Sequence, residues 1–233
     1  MEPKQSPLKN ARIALAESHL QLQELDRIYA ASLRQKETPD RVLALVKGAL
    51  ENYRSVLDYI AYELLVEFGT LTKDSEKAVQ YPLFGHPNEF DKMRERKLPG
   101  VDSYPPAVEL VKRHQPYQLD HEWMGWLSTY VNPNKHRRYT PQTRVESLRV
   151  NVMDENGGGV SWNPGAVQFS GGGITMNGIP VDPRTQRPVR GYEEITYVDW
   201  LFEGSDLSVR SVLRTIGGGL RNLVSDCELE LGW

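Results

Sequence analysis

The 233-residue chain has one cysteine, Cys227. No internal disulfide can form, which excludes the disulfide-stapled secreted class and leaves no second thiol for redox chemistry. Apolar runs are short, and none approaches the roughly 18 residues that a spanning helix needs, so no membrane partner is expected. The opening MEPKQSPLKNARIALAESH carries charges throughout and has no apolar h-region. It does not read as a signal peptide, and the cytoplasm is the expected compartment. The histidines His19, His86, His114, His121 and His136 show no HxH, HExxH or Cys/His spacing, so no metal and no other cofactor is expected. The glycine runs at 157–159, 171–173 and 217–219 do not match phosphate loops, and no G-x-S-x-G elbow occurs. Excess charge is also slight. With 28 basic and 31 acidic residues the net is −3, which argues against a wholly basic nucleic-acid coat but allows a local basic patch.

The remaining composition is that of an ordinary soluble protein, 39% apolar and 25% charged. A chain of this length can bury about 70% of its surface without staples. Pro7 and Asn10 open a helix that runs to about Lys36, with a stripe of Leu8, Leu15, Leu22, Leu25 and Ile28 or Tyr29. ETPD at 37–40 breaks it, Thr38 and Pro39 start a second helix, and Gly69 ends that helix as a C′ residue. Two long helices joined by so short a turn pack as an antiparallel hairpin. YPLFGHP at 81–87 reads as an extended segment over the hairpin. Short helices are expected at 87–96, 105–114 and 119–130, and Trp123, Trp126 and Tyr130 of the last are expected in the core.

The period changes after Thr143. Val145, Leu148 (or Ser147), Val150 and Val152 are the inward candidates of a strand, and ENGGG at 155–159 is a turn. Further β-prone runs lie at 166–169 and 174–176, with Gly171, Gly172 and Gly173 between them. PVDPRTQRPV at 180–189 reads as a Pro-rich loop, and 195–202 as the strongest strand. Ser205 or Ser208 then caps a final helix over about 207–229, which contains Cys227 as a small buried thiol. Gly217, Gly218 and Gly219 interrupt it, marking either a kink or a close helix–helix approach. The predicted fold is α+β. It is mainly a helical bundle made of the N-terminal hairpin and the C-terminal helix, with a small antiparallel β-sheet inserted before the last helix. The corresponding segments are 1–142, 143–204 and 205–233.

Two groups of residues could carry chemistry. On the second helix Val42, Val46, Tyr53, Leu57, Ile60 and Leu64 share one arc, and Arg54 and Asp58 border it one turn apart. Charges so placed form an ion pair that pins neighbouring helices, or they face a polar site between helices. NPNKHRR at 132–138 sets Lys135, His136, Arg137 and Arg138 together. His136 is an acid–base candidate at neutral pH, and Lys135 and Arg137 could hold an oxyanion. A solvated helix end whose cations favour the macrodipole is the alternative.

Three segments in order carry a resemblance. They are ENYRSVLDYIAYEL at 51–64, YPLFGHPNEF at 81–90 with HQPYQ at 114–118, and WLSTYVNPNKHR at 126–137. The set resembles a group of bacterial helical proteins of about this length that has no established activity. More distantly it is similar to HEPN-like helical bundles, many of which are metal-independent ribonucleases of toxin or phage-defence systems. In those enzymes an Arg precedes the His by four to six residues. Here 130–132 reads Tyr-Val-Asn, so His136 would draw on Arg54, with Asp58, or on Arg137. Two functions are therefore carried forward. The first is a non-enzymatic binding or assembly module that forms a homo-oligomer through its helices. The second is a HEPN-like ribonuclease or nucleotide-handling protein built on His136, with RNA as its partner.

Overall fold

The computed structural model describes residues 6–31, 39–134, 140–153, 159–162, 174–176 and 179–233. Within them the chain is α+β and mainly helical. The helices are α1 (Lys9–Ala31), α2 (Asp40–Phe68), α3 (Lys73–Ala78), α4 (Pro87–Lys97), α5 (Pro105–Arg113), α6 (Glu122–Asn134) and, after the strands, α7 (Val209–Leu231). Among the described residues, six strands lie between α6 and α7: β1 (Gln142–Met153), β2 (Gly159–Trp162), β3 (Ile174–Met176), β4 (Ile179–Asp182), β5 (Arg187–Pro188) and β6 (Glu193–Phe202).

Helices α1 and α2 run antiparallel. Gln21 accepts from Asn52 at 3.2 Å, while Ser6 and Asn10 border Glu63 and Val66 at the other end. The expected stripe is buried at Leu8, Leu25 and Tyr29, but Ala11, Ala14 and Ser18 complete it. Small side chains there let the helices approach. The arc on α2 is buried as drawn, from Val42 through Leu64. Helix α7 crosses α1 in the opposite sense, because Arg12 pairs with Glu228 and Arg214 pairs with Asp26 at 2.8 Å. Its apolar face, Val209, Val212, Leu213, Ile216, Leu220, Leu223 and Val224, closes the bundle, with Cys227 buried beyond it. The Ser208 hydroxyl caps α7 by accepting from the Ser211 N–H. The proposed cap Thr38 lies outside the described residues.

Gly69 ends α2 for a reason other than the left-handed turn expected of a C′ glycine. Its φ is −113°, and a Cβ there would sit 2.8 Å from the Pro99 carbonyl. The residue is small because the loop before α5 crosses it closely. The triple glycine resolves to a close approach. Helix α7 is continuous through it, Gly217 faces Tyr53, and Gly219 faces Trp123.

The β segment forms two three-stranded antiparallel sheets, ordered β2-β1-β6 and β3-β4-β5. Strands β1 and β6 pair from Gln142↔Phe202 to Asn151↔Glu193. At one end of this ladder Trp200 and Phe202 enter the helical core, where Phe202 stacks on Tyr130 with ring centroids 3.7 Å apart. At the other end Val150, Val152, Trp162 and Val181 form a separate small core. Val145 is 36% exposed rather than inward, because the pleat places residue 145 opposite in parity to 150 and 152. The Pro-rich stretch at 180–189 is a β-hairpin, not a loop. Val181 pairs with Pro188 and Asp182 with Arg187, and the Asp182 carboxylate accepts from the Arg184 N–H at 2.9 Å to shape the turn. The Trp162 indole donates to the Gln186 carbonyl at 2.8 Å and ties the two sheets together. The run at 166–169 and the three glycines after it lie outside the described residues.

Candidate functional site

Arg54 and Asp58 meet as the helical spacing requires. The Arg54 guanidinium contacts Asp58 twice, Nη2 to Oδ1 at 2.8 Å and Nε to Oδ2 at 3.3 Å. Both side chains also hold the backbone of one residue in the extended segment 79–84. Arg54 Nη2 donates to the Tyr81 carbonyl at 3.1 Å, and Asp58 Oδ1 accepts from the Tyr81 N–H at 3.0 Å. The pair thereby does for residue 81 what a neighbouring β-strand would do, and it seats the Tyr81 ring at 1% exposure in the core. Gln115 continues the device. Its Nε2 donates to the Pro82 and Val111 carbonyls, each at 3.0 Å, and its Oε1 accepts from the Phe84 N–H at 3.1 Å. The chain 81–84 is sewn onto α2 and α5 by side chains because it joins no sheet.

Lys135, His136 and Arg137 lie outside the described residues. The segment 135–139 links α6 to β1. On either side of it, the Val131 side chain is buried and Thr140 donates to the Tyr130 carbonyl at 3.2 Å. Trp123 is buried as expected, and Trp126 and Tyr130 pack partly buried against the same core.

Spacing rules did not reveal the contact between two other histidines. His114, the C-cap of α5, and His121, just before α6, face each other with Nδ1 and Nε2 3.0 Å apart. The outer nitrogens are also occupied. His114 Nε2 lies 2.8 Å from the Asp226 carboxylate, and His121 Nδ1 lies 2.9 Å from the Leu119 carbonyl. This chain links α5, the turn before α6, and α7. Burial holds the His114 pKa below its ordinary value, against the opposing pull of Asp226. The only sequence sign was HQPYQLDH itself, a turn-forming stretch with a histidine at each end. His86 serves α4 instead, where its Nδ1 accepts from the Asn88 N–H at 3.3 Å. Among the described residues no group of three or more His, Cys, Asp or Glu side chains is placed to hold a metal ion.

A cavity of about 260 Å³ opens where α1, α2 and α7 meet, lined in part by Tyr53, Arg214, Gly217 and Arg221. Neither Arg54 nor Asp58 reaches it. Among the described helices none is long and apolar enough to cross a membrane. Comparison of the chain with known protein families, with curated proteins and with solved structures finds no match.

Proposed function

We propose that the chain is a non-enzymatic binding or assembly module. The observation that carries this reading is the engagement of Arg54 and Asp58. A catalytic arginine must be able to reach a phosphate as charge develops on it. Arg54 instead spends its guanidinium on Asp58 and on the Tyr81 carbonyl, with its side chain only 12% exposed. Releasing it would strip the Tyr81 carbonyl of its partner and leave the Asp58 carboxylate without its counter-charge. Self-association through helical faces belongs to the same reading. Ile13 and Leu20, seven residues apart on α1, are 57% and 58% exposed, and they supply apolar area for a second copy.

The competing reading is a metal-independent ribonuclease that uses His136, with Lys135 and Arg137 on the phosphate. The experiment that separates the two is incubation of labelled RNA with the purified protein in chelator. Intact RNA is the expected result for wild type and for His136→Ala alike. Cleavage by wild type that His136→Ala abolishes would replace the binding reading with the nuclease one. Sedimentation across a range of concentrations tests the assembly part, and a strict monomer at every concentration would remove it.

A further inference from the structure

The cavity between α1, α2 and α7 gathers more hydrogen-bond donors than the fold uses. Tyr53 projects from α2 and is 2% exposed. It forms part of the cavity lining. A phenol that opens on a cavity in this way can donate to an anionic ligand that enters from solvent. Gly217 keeps the hydroxyl where it is, because a Cβ at that position would lie 2.7 Å from it.

The charge around the hydroxyl is positive. Arg221 pairs with no carboxylate among the described residues, yet it lines the cavity. Arg210 and Arg214 share a single carboxylate, Asp26, at 2.8 Å each. Asp26 fixes the direction of Arg214 and leaves the rest of its guanidinium fork unspent. In the lining, the two guanidinium groups of Arg214 and Arg221 face the single carboxylate of Asp26, which leaves a net positive corner, and His19 lines it too. Burial pushes the Tyr53 phenol up to about 12 against the pull of Arg221, so the group remains a donor at neutral pH. Leu15 and Leu22 add apolar lining. A cavity of about 260 Å³ is smaller than the roughly 300–1,000 Å³ of drug-sized sites. It suits a tetrahedral oxyanion that carries one small organic group.

We propose that this cavity binds a small phosphomonoester, its phosphate held by Arg214, Arg221 and the Tyr53 hydroxyl and its organic part against Leu15 and Leu22. The assignment rests on the binding reading above and names the ligand class for it. The residues it uses do not include His136, so RNA cleavage and phosphate binding can be tested separately.

The test is isothermal titration of the full chain with inorganic phosphate, ribose 5-phosphate and a short oligoribonucleotide, in buffer near physiological salt. Saturable one-to-one binding of ribose 5-phosphate, tighter than that of phosphate, is the expected result. Arg221→Ala should weaken it at least tenfold. Tyr53→Phe should weaken it severalfold with little change in melting temperature, because the phenyl ring and its packing remain. Absence of saturable binding by the folded wild type would overturn the proposal, as would binding indifferent to Arg221→Ala. Tighter binding of the oligoribonucleotide than of ribose 5-phosphate, lost in Arg221→Ala, would also overturn the small-molecule assignment.

Discussion

Trp123 lies against Gly219 so closely that a Cβ on residue 219 would come within 2.2 Å of the indole ring. The contact joins α6 to α7 and explains the last of three consecutive glycines in the helix. Each glycine has a propensity cost of up to about 1 kcal/mol relative to alanine. At Gly219 the close approach of a large aromatic offsets that cost.

Gly218 and Gly219 should therefore respond differently to alanine. Gly219→Ala forces an indole and its helix apart and should destabilise the fold by about 1–3 kcal/mol despite the better propensity. Gly218→Ala meets nothing closer than the Arg221 guanidinium at 3.9 Å, and it should stabilise by up to about 1 kcal/mol. Urea unfolding of the two variants against wild type checks the sign of each.

Removing one member of the Arg54–Asp58 pair leaves more than a lost ion pair. Asp58→Ala strands the Tyr81 N–H and a guanidinium that is 12% exposed, for an expected cost of about 2–3 kcal/mol. Adding Arg54→Ala to that background should cost less than it does alone, since no uncompensated charge remains. A double-mutant cycle measures the coupling, and additivity within error would show that the clasp contributes nothing as a unit.

His114 gives stability a dependence on pH. Its folded pKa is lowered from 6.5 by burial, so below that value the unfolded chain binds more protons than the folded one. The stability contributed by neutral His114 is present above the unfolded pKa and is lost as pH falls through the folded pKa. The groups facing it are His121, Asp226 and Arg113. The urea midpoint should fall as pH drops from 7 toward 5, and His114→Gln should flatten that slope. A slope identical in the variant would assign the pH dependence to other groups.

Cys227 should be inert in the native state. It is 0% exposed, and burial pushes its thiol up to about 12, with Asp226, Glu230 and Glu228 adding to the effect. An aromatic disulfide reagent should label it only at the rate of global unfolding, and in seconds once urea unfolds the chain. Rapid stoichiometric labelling of the folded protein would contradict the packing of α7.

Much of the helical part was legible in advance because its signals are local. The period on α2 placed Arg54 and Asp58 on one side of an apolar arc, and i,i+4 spacing brought them together. What they clasp was not legible. Tyr81 is 23 residues from Asp58 in sequence, and nothing in YPLFGHP marks a peptide that will borrow its hydrogen bonds from side chains. The β segment was harder for a related reason. Short strands carry little periodic signal, so PVDPRTQRPV shows its prolines before its pairing, although Pro188 occupies a two-residue strand at the edge of its sheet, where no inner ladder bond is lost.

The amino-acid order alone dictated the class of the molecule. It set long amphipathic helices at the N-terminus, a capped helix at the C-terminus and strands between them, because helix and strand periods, caps and breakers act over a few residues. The constellations that could serve function came from packing. His114 reaches His121 and Asp226, Tyr53 meets Gly217 beside Arg221, and Trp123 covers Gly219, all across elements distant in sequence. Which polar groups are left without partners depends on how helices cross, and crossing is settled by side-chain volume over the whole core rather than by any local pattern.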